Sequence, residues 1–473
     1  MTGVDIDNVV LVTVDSLRAD ATGPYAEGRH TPVIDDIADG GTVFEHAFAT
    51  GNWTPFSFPG ILASRAVFAD SGRIGVEEST TLASALSDAG LETGGFNAAN
   101  GFLTSHWGYD DGFDTFEPFV AEVGSSIYSR YLAAHPTVEA WLQLATSPVR
   151  RLSSRLRGDA DDRPFHDASR GLDVERGAAE FIEDADGPFF LWIHYMDAHT
   201  PYVPAPRYVR EVSDTRLGTH RMVVAHTKTG LGLEVGERTL GDLRTLYQGA
   251  VRQVDASIGR LRETLESAGV ANDTALVVAG DHGEEFQEHG HLAHYPKLYD
   301  ELIHVPLIVD VPGAEGRRVE GAVGLNAVPP TVAGLVGVDP DGSWDGRNLL
   351  PAVIDGAPPD DDPVVSVTVR GEAVTDQPIP RGLDDGDLLV GARTAEWTYI
   401  TNAETGAEEL YHRPSDPDQQ ENRASADSPV ESEVLERLRP VARRHADSLT
   451  GETAADDDID EDLETRLSAL GYR

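Results

Sequence analysis

The chain has 473 residues, which suits one large domain with an appendage, or two domains, and its 37 basic against 81 acidic side chains give a formal charge of −44. A field of that sign repels nucleic acid and anionic membrane surfaces, and the absence of cysteine excludes disulfides, thiolate metal sites and a cysteine nucleophile. The hydrophobic share of 40% argues against disorder over most of the length.

The acidity therefore reads as a solvated coat. Lys228 and Lys297 are the two lysines of the chain, and a nearly lysine-free acidic surface resembles those of halophilic proteins, whose self-repulsion is screened over roughly 3 Å at molar salt. From Met1 the chain reaches a strand pattern by Asn8 without a signal-peptide profile. No run of about 18 apolar residues follows. A cytoplasmic protein without membrane insertion is expected.

In chain order, residues 8–14 form a continuous apolar run of buried-strand type, 32–38 open a helix, and 44–49 give a further short strand. An amphipathic helix over 81–89 ends at Gly90, with a strand-like stretch after it. The segment 125–173 is Arg-rich, then polar, and reads as an insertion. Residues 188–195, 274–279 and 304–309 are short apolar strands, and 240–267 is a long helix. The alternation predicts an α/β fold with a large, mainly parallel sheet sandwiched by helices, occupying 1–355. The run 356–363 (GAPPDDDP) is a linker. Beyond it, short strands at 364–369, 388–393 and 397–401 and a helix at 430–446 predict a smaller α+β domain of antiparallel sheet and helix over 364–473. The apolar spacing of 463–472 predicts that the terminus docks back.

Polar residues that follow buried strands of such a sheet lie where ligands bind. Asp15 follows the first strand in V-D-S-L-R-A-D; a carboxylate there is paired, metal-bound or caps the next turn. Thr54, before Pro55, reads as the N-cap of a helix running to Leu62, a place that favours anions and suits a nucleophile, although Thr54 and Ser57 also fit plain capping. His194, Asp197 and His199 close another strand; they suit anion binding or proton transfer, although one of two such histidines, taken alone, is more often a satisfied core residue. The strongest cluster is Asp281-His282-Gly283-Glu284, followed by His289, His291 and His294. Adjacent Asp and His after a strand make an oxygen and nitrogen metal-ligand pair.

These motifs, with Thr31-Pro-Val-Ile-Asp35, Gly41-Thr-Val-Phe44, Leu298-Tyr-Asp-Glu-Leu-Ile-His-Val-Pro-Leu307, Asp345-Gly-Arg-Asn348 and Glu408-Glu-Leu-Tyr411, resemble in order and spacing the sulfatase family of the alkaline-phosphatase superfamily. The resemblance implies one divalent cation, Ca2+, Mn2+ or Zn2+, held by Asp15, Asp281 and His282, with Thr54 as the ligand it activates. Ser16 stands where many sulfatases carry a second Asp. Sulfatases use a formylglycine made from Cys or Ser; counting back from Ile61-Leu62 places Thr54 at that position, so no formylglycine is expected. The alternative register puts Ser57 there. Phe58 replaces the arginine usual four residues on. His199 matches the family's anion-contacting histidine, His294 the position of a substrate-contacting lysine, and His289 joins Thr54 and His199 as a catalytic candidate. Arg18, His294 and Ser57 are the substrate-binding candidates, with an ion pair to Asp20 or Asp15 as the other reading of Arg18.

The resemblance thus implies a metal-dependent hydrolase of sulfuric or phosphoric esters on a small anionic substrate, free or carbohydrate-linked. A threonine ester cannot collapse to an aldehyde as a formylglycine hydrate does, which tilts the expectation toward phosphoryl esters. Transfer of a phospho-alcohol group to a glycan or lipid, and a non-catalytic binding protein that keeps the fold, are the alternatives.

Overall fold

The apolar run Asn8–Val14 (β1) is buried along its whole length and forms the middle of an eight-stranded sheet. The structure, a computed structural model, describes residues 6–120, 170–215, 217–230, 234–370, 380, 382–425 and 428–450. In chain order the strands are β1, β2 (Thr42–Phe48), β3 (Glu92–Asn97), β4 (Thr115–Glu117), β5 (Phe189–Tyr195), β6 (Thr274–Gly280), the hairpin β7 (Glu285–Phe286) and β8 (Leu292–Ala293), β9 (Leu307–Asp310) and β10 (Arg317–Gly324). The sheet order is β10-β2-β9-β6-β1-β5-β3-β4, and the hairpin stands apart. All neighbours pair in parallel except β9, which runs against β2 and β6.

Alternation along β1 divides the core. Val9 and Leu11 pack with Phe58 and Phe190 on one face, and Val10, Val12 and Val14 with Leu246, Val254 and Ile258 on the other. The second layer rests on helix Glu237–Ala268. From this helix the buried Asp255 accepts the N–H groups of Val33 and Ile34 at 3.0 and 2.8 Å, capping helix Pro32–Gly40 in place of an N-cap side chain.

After a stretch without secondary structure at 356–363, β11 (Val364–Arg370), β12 (Asp387–Arg393), β13 (Trp397–Asn402) and β14 (Glu408–His412) form an antiparallel sheet in that order, backed by helix Pro429–Thr450. Its apolar face belongs to the same core as the large sheet, since Val367, Val390 and Leu438 share a cluster with Phe56. Ser366 Oγ donates to the Ala49 carbonyl at 2.6 Å and Val367 N to the Thr50 carbonyl at 2.9 Å. The small sheet thereby braces the segment that leads into Thr54.

The α/β expectation and the small antiparallel sheet are both present. Some boundaries differ for physical reasons. The strand expected at 304–309 begins only at Leu307, because Pro306 has no N–H to give the ladder. β10 was not expected: Arg317, Arg318, Glu320 and Gly321 hide its period. The insertion at 125–173 lies outside the described residues until Arg170, where helix Gly171–Asp184 starts; the expected docking of 463–472 lies outside them altogether. Among the described residues, no helix is long and apolar enough to cross a membrane.

Candidate active site

Five strands deliver side chains to one place beyond their carboxyl ends. β1 is followed by Asp15, β2 by Thr54, β3 by Asn100, β5 by His199 and β6 by Asp281 and His282, the location expected for ligands in such a sheet. Registry aligns the ends: Thr13 lies beside His194 and Ala279, and Asn97 beside His194. Gly283 closes the turn after His282, where a Cβ would stand 2.0 Å from the Glu301 carbonyl oxygen.

Thr54 is the first residue of helix Thr54–Ala63, and Trp53 is its N-cap. This corrects the expected N-cap by one position and leaves the hydroxyl at the helix start. Its Oγ1 lies 3.2 Å from Asp15 Oδ2, 3.1 Å from Asp281 Oδ2 and 3.4 Å from His282 Nε2. One hydroxyl proton thus serves two carboxylates. Ser57, three residues on, is also fully buried, but its Oγ donates to the Asp281 carbonyl at 2.6 Å. In that contact the Ser57 side chain steadies the Asp281 backbone. Ser57→Ala is expected to lower stability by ~1 kcal/mol in denaturant unfolding, with turnover changed less than tenfold; loss of all activity would restore Ser57 to the chemistry.

Asp15, Asp281 and His282 place ligand atoms within 4.8 Å of one another, all buried. The donor chemistry fits a cation. His282 Nδ1 lies 2.9 Å from the Gly283 carbonyl, an acceptor only, so Nδ1 carries a proton and Nε2 is the ring nitrogen left to meet a cation. That nitrogen faces Asp15 Oδ1 and Asp281 Oδ2, each at 3.6 Å. Three candidate ligand atoms converge on one point, and among the described residues no lysine or arginine reaches either carboxylate. Burial and the Asp15 charge push the Asp281 carboxyl well above the ordinary carboxylate value. Burial acts on Asp15 in the same sense, but the imidazoles of His199, His194 and His282 outweigh it and hold that carboxyl low.

The backbone is bent to make this arrangement. Ser16 takes a left-handed φ of 59°, a conformation that costs of order 1 kcal/mol in a non-glycine residue. It donates its N–H to Asp281 Oδ1 at 3.0 Å and its hydroxyl to Asp15 Oδ1 at 2.9 Å. Ala99, at φ 61°, precedes Asn100, whose Nδ2 donates to Asp15 Oδ2 at 3.1 Å and to Thr54 Oγ1 at 3.4 Å. Asn100 is a site residue that sequence reasoning missed.

Around this centre stand imidazoles. His199 Nδ1 donates to the Thr200 carbonyl at 2.6 Å, and burial lowers its pKa. His294 lies between His199 and His282, with ring centroids 5.1 and 5.3 Å away; its Nδ1 is 3.4 Å from Glu284 Oε2, and burial lowers its pKa to about 3. His294 is therefore neutral and brings no positive charge to the place of the family's lysine. Glu284 receives the Tyr202 hydroxyl, and burial raises its carboxyl to about 7. His194 is fully buried. Its Nδ1 is 3.0 Å from Thr13 Oγ1 and its Nε2 3.6 Å from Asp15 Oδ2, while the ring of Phe58 meets it edge-on at 5.0 Å. An aromatic wall thus occupies the helix position where the family pattern has arginine.

Three expectations go elsewhere. Arg18 forms the ion pair with Asp20, at 2.7 and 2.8 Å, and also donates to Glu288 Oε1 and the Glu284 carbonyl, each at 2.9 Å; it makes no contact with Asp15 or Thr54. His289 turns away from Thr54, with Nδ1 on Glu301 Oε1 at 2.5 Å and Nε2 3.1 Å from the Gln419 carbonyl. Asp197 pairs with Gln253.

With this geometry in view, the chain belongs to the sulfatase family, in the alkaline-phosphatase superfamily: the Sulfatase family model matches residues 7–338. It is 27% identical over 211 residues to the multifunctional alkaline phosphatase superfamily protein PehA of Trinickia caryophylli, covering 39% of this chain and 41% of that protein. It is 25% identical over 403 residues to human iduronate 2-sulfatase, covering 71% and 70%. The matched part spans about two fifths of PehA and of bovine arylsulfatase K. In fold it is similar to the phosphonate monoester hydrolase of Agrobacterium radiobacter, with TM-score 0.67, 18% identity and coverage of 94% and 95%. A structure solved with its substrate D-glucosamine-2-N,6-O-disulfate gives TM-score 0.68, 17% identity and coverage of 96% and 100%.

Proposed function

We propose that this chain is a metal-dependent hydrolase of phosphoric or sulfuric esters that uses Thr54 as its nucleophile. The observation that carries the reading is the Thr54 hydroxyl at 3.1 to 3.4 Å from Asp15, Asp281 and His282, at the start of a helix. A divalent cation of the Ca2+, Mn2+ or Zn2+ type, bound by those three residues, would acidify the hydroxyl and polarise the ester. The protein's own groups account for the rest of the cycle. The Thr54 proton passes to a facing carboxylate oxygen, and Oγ1 bonds to phosphorus or sulfur as the bond to the alcohol oxygen breaks. Water then attacks the Thr54 ester, the acid is released, and Thr54 recovers its proton. Over the cycle one water is consumed, and one alcohol and one phosphate or sulfate leave.

His199 and His294, facing the centre, are placed to relay a proton from the carboxylate to the departing alcohol and from the attacking water back to Thr54. Asn100 holds Asp15 and Thr54 in register. Since the threonine ester leaves only through attack at its central atom, the reading favours phosphoryl esters, a preference that the named chemistry of the phosphonate monoester hydrolase neighbour supports. The named substrate of the disulfated-glucosamine neighbour supports a carbohydrate-linked anionic ester.

The test is turnover of aryl sulfate, aryl phosphate monoester and aryl phosphodiester by the full chain across a metal series. The phosphoryl substrates are expected to be cleaved at least tenfold faster than the sulfate. Failure to cleave any ester with any metal would overturn the enzyme reading and leave a binding protein.

A further inference from the structure

Arg18 is the candidate that the catalytic centre does not absorb, and its surroundings form a second feature. A cavity of about 470 Å3 is lined by Arg18, Arg29, Arg244, Tyr247 and Gln248 together with Asp20, Glu288, Asp418 and Gln420. Its charges alternate along an arc. Arg29 Nε donates to the Asp20 carbonyl at 2.6 Å, the Asp20 carboxylate takes the fork of Arg18, and Glu288 lies 2.9 Å from Arg18 and 3.4 Å from Arg244.

The two carboxylates of the arc are already engaged. Arg18 holds Asp20, and Glu288 also accepts the Phe286 N–H. Among the described residues, the terminal nitrogens of Arg29 and the Nε and Nη1 of Arg244 donate to nothing, and Arg244 is 51% exposed. In a chain with 81 acids against 37 bases, two guanidinium groups without a carboxylate fork facing one cavity run against the composition. The opposing acid, Asp418, is solvent-exposed.

The cavity adjoins the catalytic loop. The Tyr247 hydroxyl donates to the Ser16 carbonyl at 2.8 Å and accepts the Arg18 N–H at 3.0 Å, so a lining side chain is bonded directly to the turn that carries Asp15. We propose that this cavity is a second oxyanion site, in which Arg29 and Arg244 hold a sulfate or phosphate group over the Arg18 base. Forked guanidinium donors match such oxyanions in geometry as well as charge. The oxyanion is either free in solution or the second anionic group of a substrate whose ester sits at Thr54; the latter source rests on the ester-hydrolase reading.

Calorimetric titration of inorganic sulfate and phosphate at constant ionic strength, into the wild type and into an Arg29→Gln/Arg244→Gln double variant, tests the site without requiring turnover. Both arginines are surface residues, so the variant is expected to fold with an unchanged unfolding midpoint. One binding event of the wild type should weaken at least tenfold in the variant. Identical isotherms would overturn the proposal. Kinetics then assign the source. A KM rise of roughly tenfold or more for esters carrying a second anionic group, with no change for a singly anionic aryl ester, marks the group as part of the substrate. Unchanged KM for both, with the calorimetric loss retained, marks a free oxyanion.

Discussion

Thr54→Ala is expected to lower kcat by on the order of a thousandfold or more, since removing a nucleophile deletes the covalent route while leaving binding groups in place. The substitution removes one hydroxyl and one methyl from a buried position and spares Asp15, Asp281 and His282. Cation uptake and fold should therefore survive, and the loss should fall on kcat with little change in KM. Thr54→Ser keeps the oxygen but lacks the branch that restricts the side-chain rotamer, so it should retain measurable turnover between the two. Acid-quenched wild type mixed with a phosphoryl ester should gain the mass of a phosphoryl group, and the gain should map to a peptide containing Thr54. Activity within tenfold of wild type in the alanine variant would refute Thr54 as nucleophile. If the adduct were found on Ser57, the register would shift by three residues.

Whether a site residue is visible in the sequence depends on where it stands relative to a strand. Asp15, Asp281 and His282 follow uninterrupted apolar runs, so their places at strand ends are visible from pattern alone. Asn100 follows Glu92–Asn97, where adjacent Gly94 and Gly95 weaken the strand signal. An asparagine in Asn97-Ala-Ala-Asn100-Gly looks like a turn residue and nothing more. His289 shows the opposite failure. It lies in a histidine-rich run beside the metal motif, but the hairpin of β7 and β8 turns it toward Glu301 and Gln419, a long-range contact that no local spacing encodes. Arg18 is intermediate, because an Arg two residues from an Asp permits the local ion pair that forms. The sheet was legible for the same reason as Asp15: strands covered on both faces are apolar at every position. β10, with Arg317, Arg318 and Glu320 in its first half, carries no such run.

Removal or addition of the cation should act on stability as strongly as Thr54 acts on rate. Without a cation, Asp15 and Asp281 are two fully buried carboxyl groups whose oxygens share the Thr54 hydroxyl and lie 3.6 Å from His282 Nε2, and among the described residues no lysine or arginine pairs with either of them. Burying charge without a partner is costly, and this cost is carried by the metal-free fold. A divalent cation that binds only the folded chain should add about 2.7 kcal/mol at a hundredfold excess over its Kd, seen as a rise in the thermal midpoint that a chelator reverses. Asp281→Asn preserves the shape of the side chain and its carbonyl acceptor but removes one charge. Its expected signature has two parts of opposite sign. The metal-free variant should be at least as stable as the metal-free wild type, because the repulsion with Asp15 is gone, whereas the cation-dependent rise should largely disappear. A role confined to packing predicts a lower midpoint in the metal-free variant and an undiminished response to cation. Elemental analysis of the mildly purified wild type should find close to one divalent ion per chain, and its absence together with a flat midpoint across the metal series would remove Asp15, Asp281 and His282 from the chemistry proposed for Thr54.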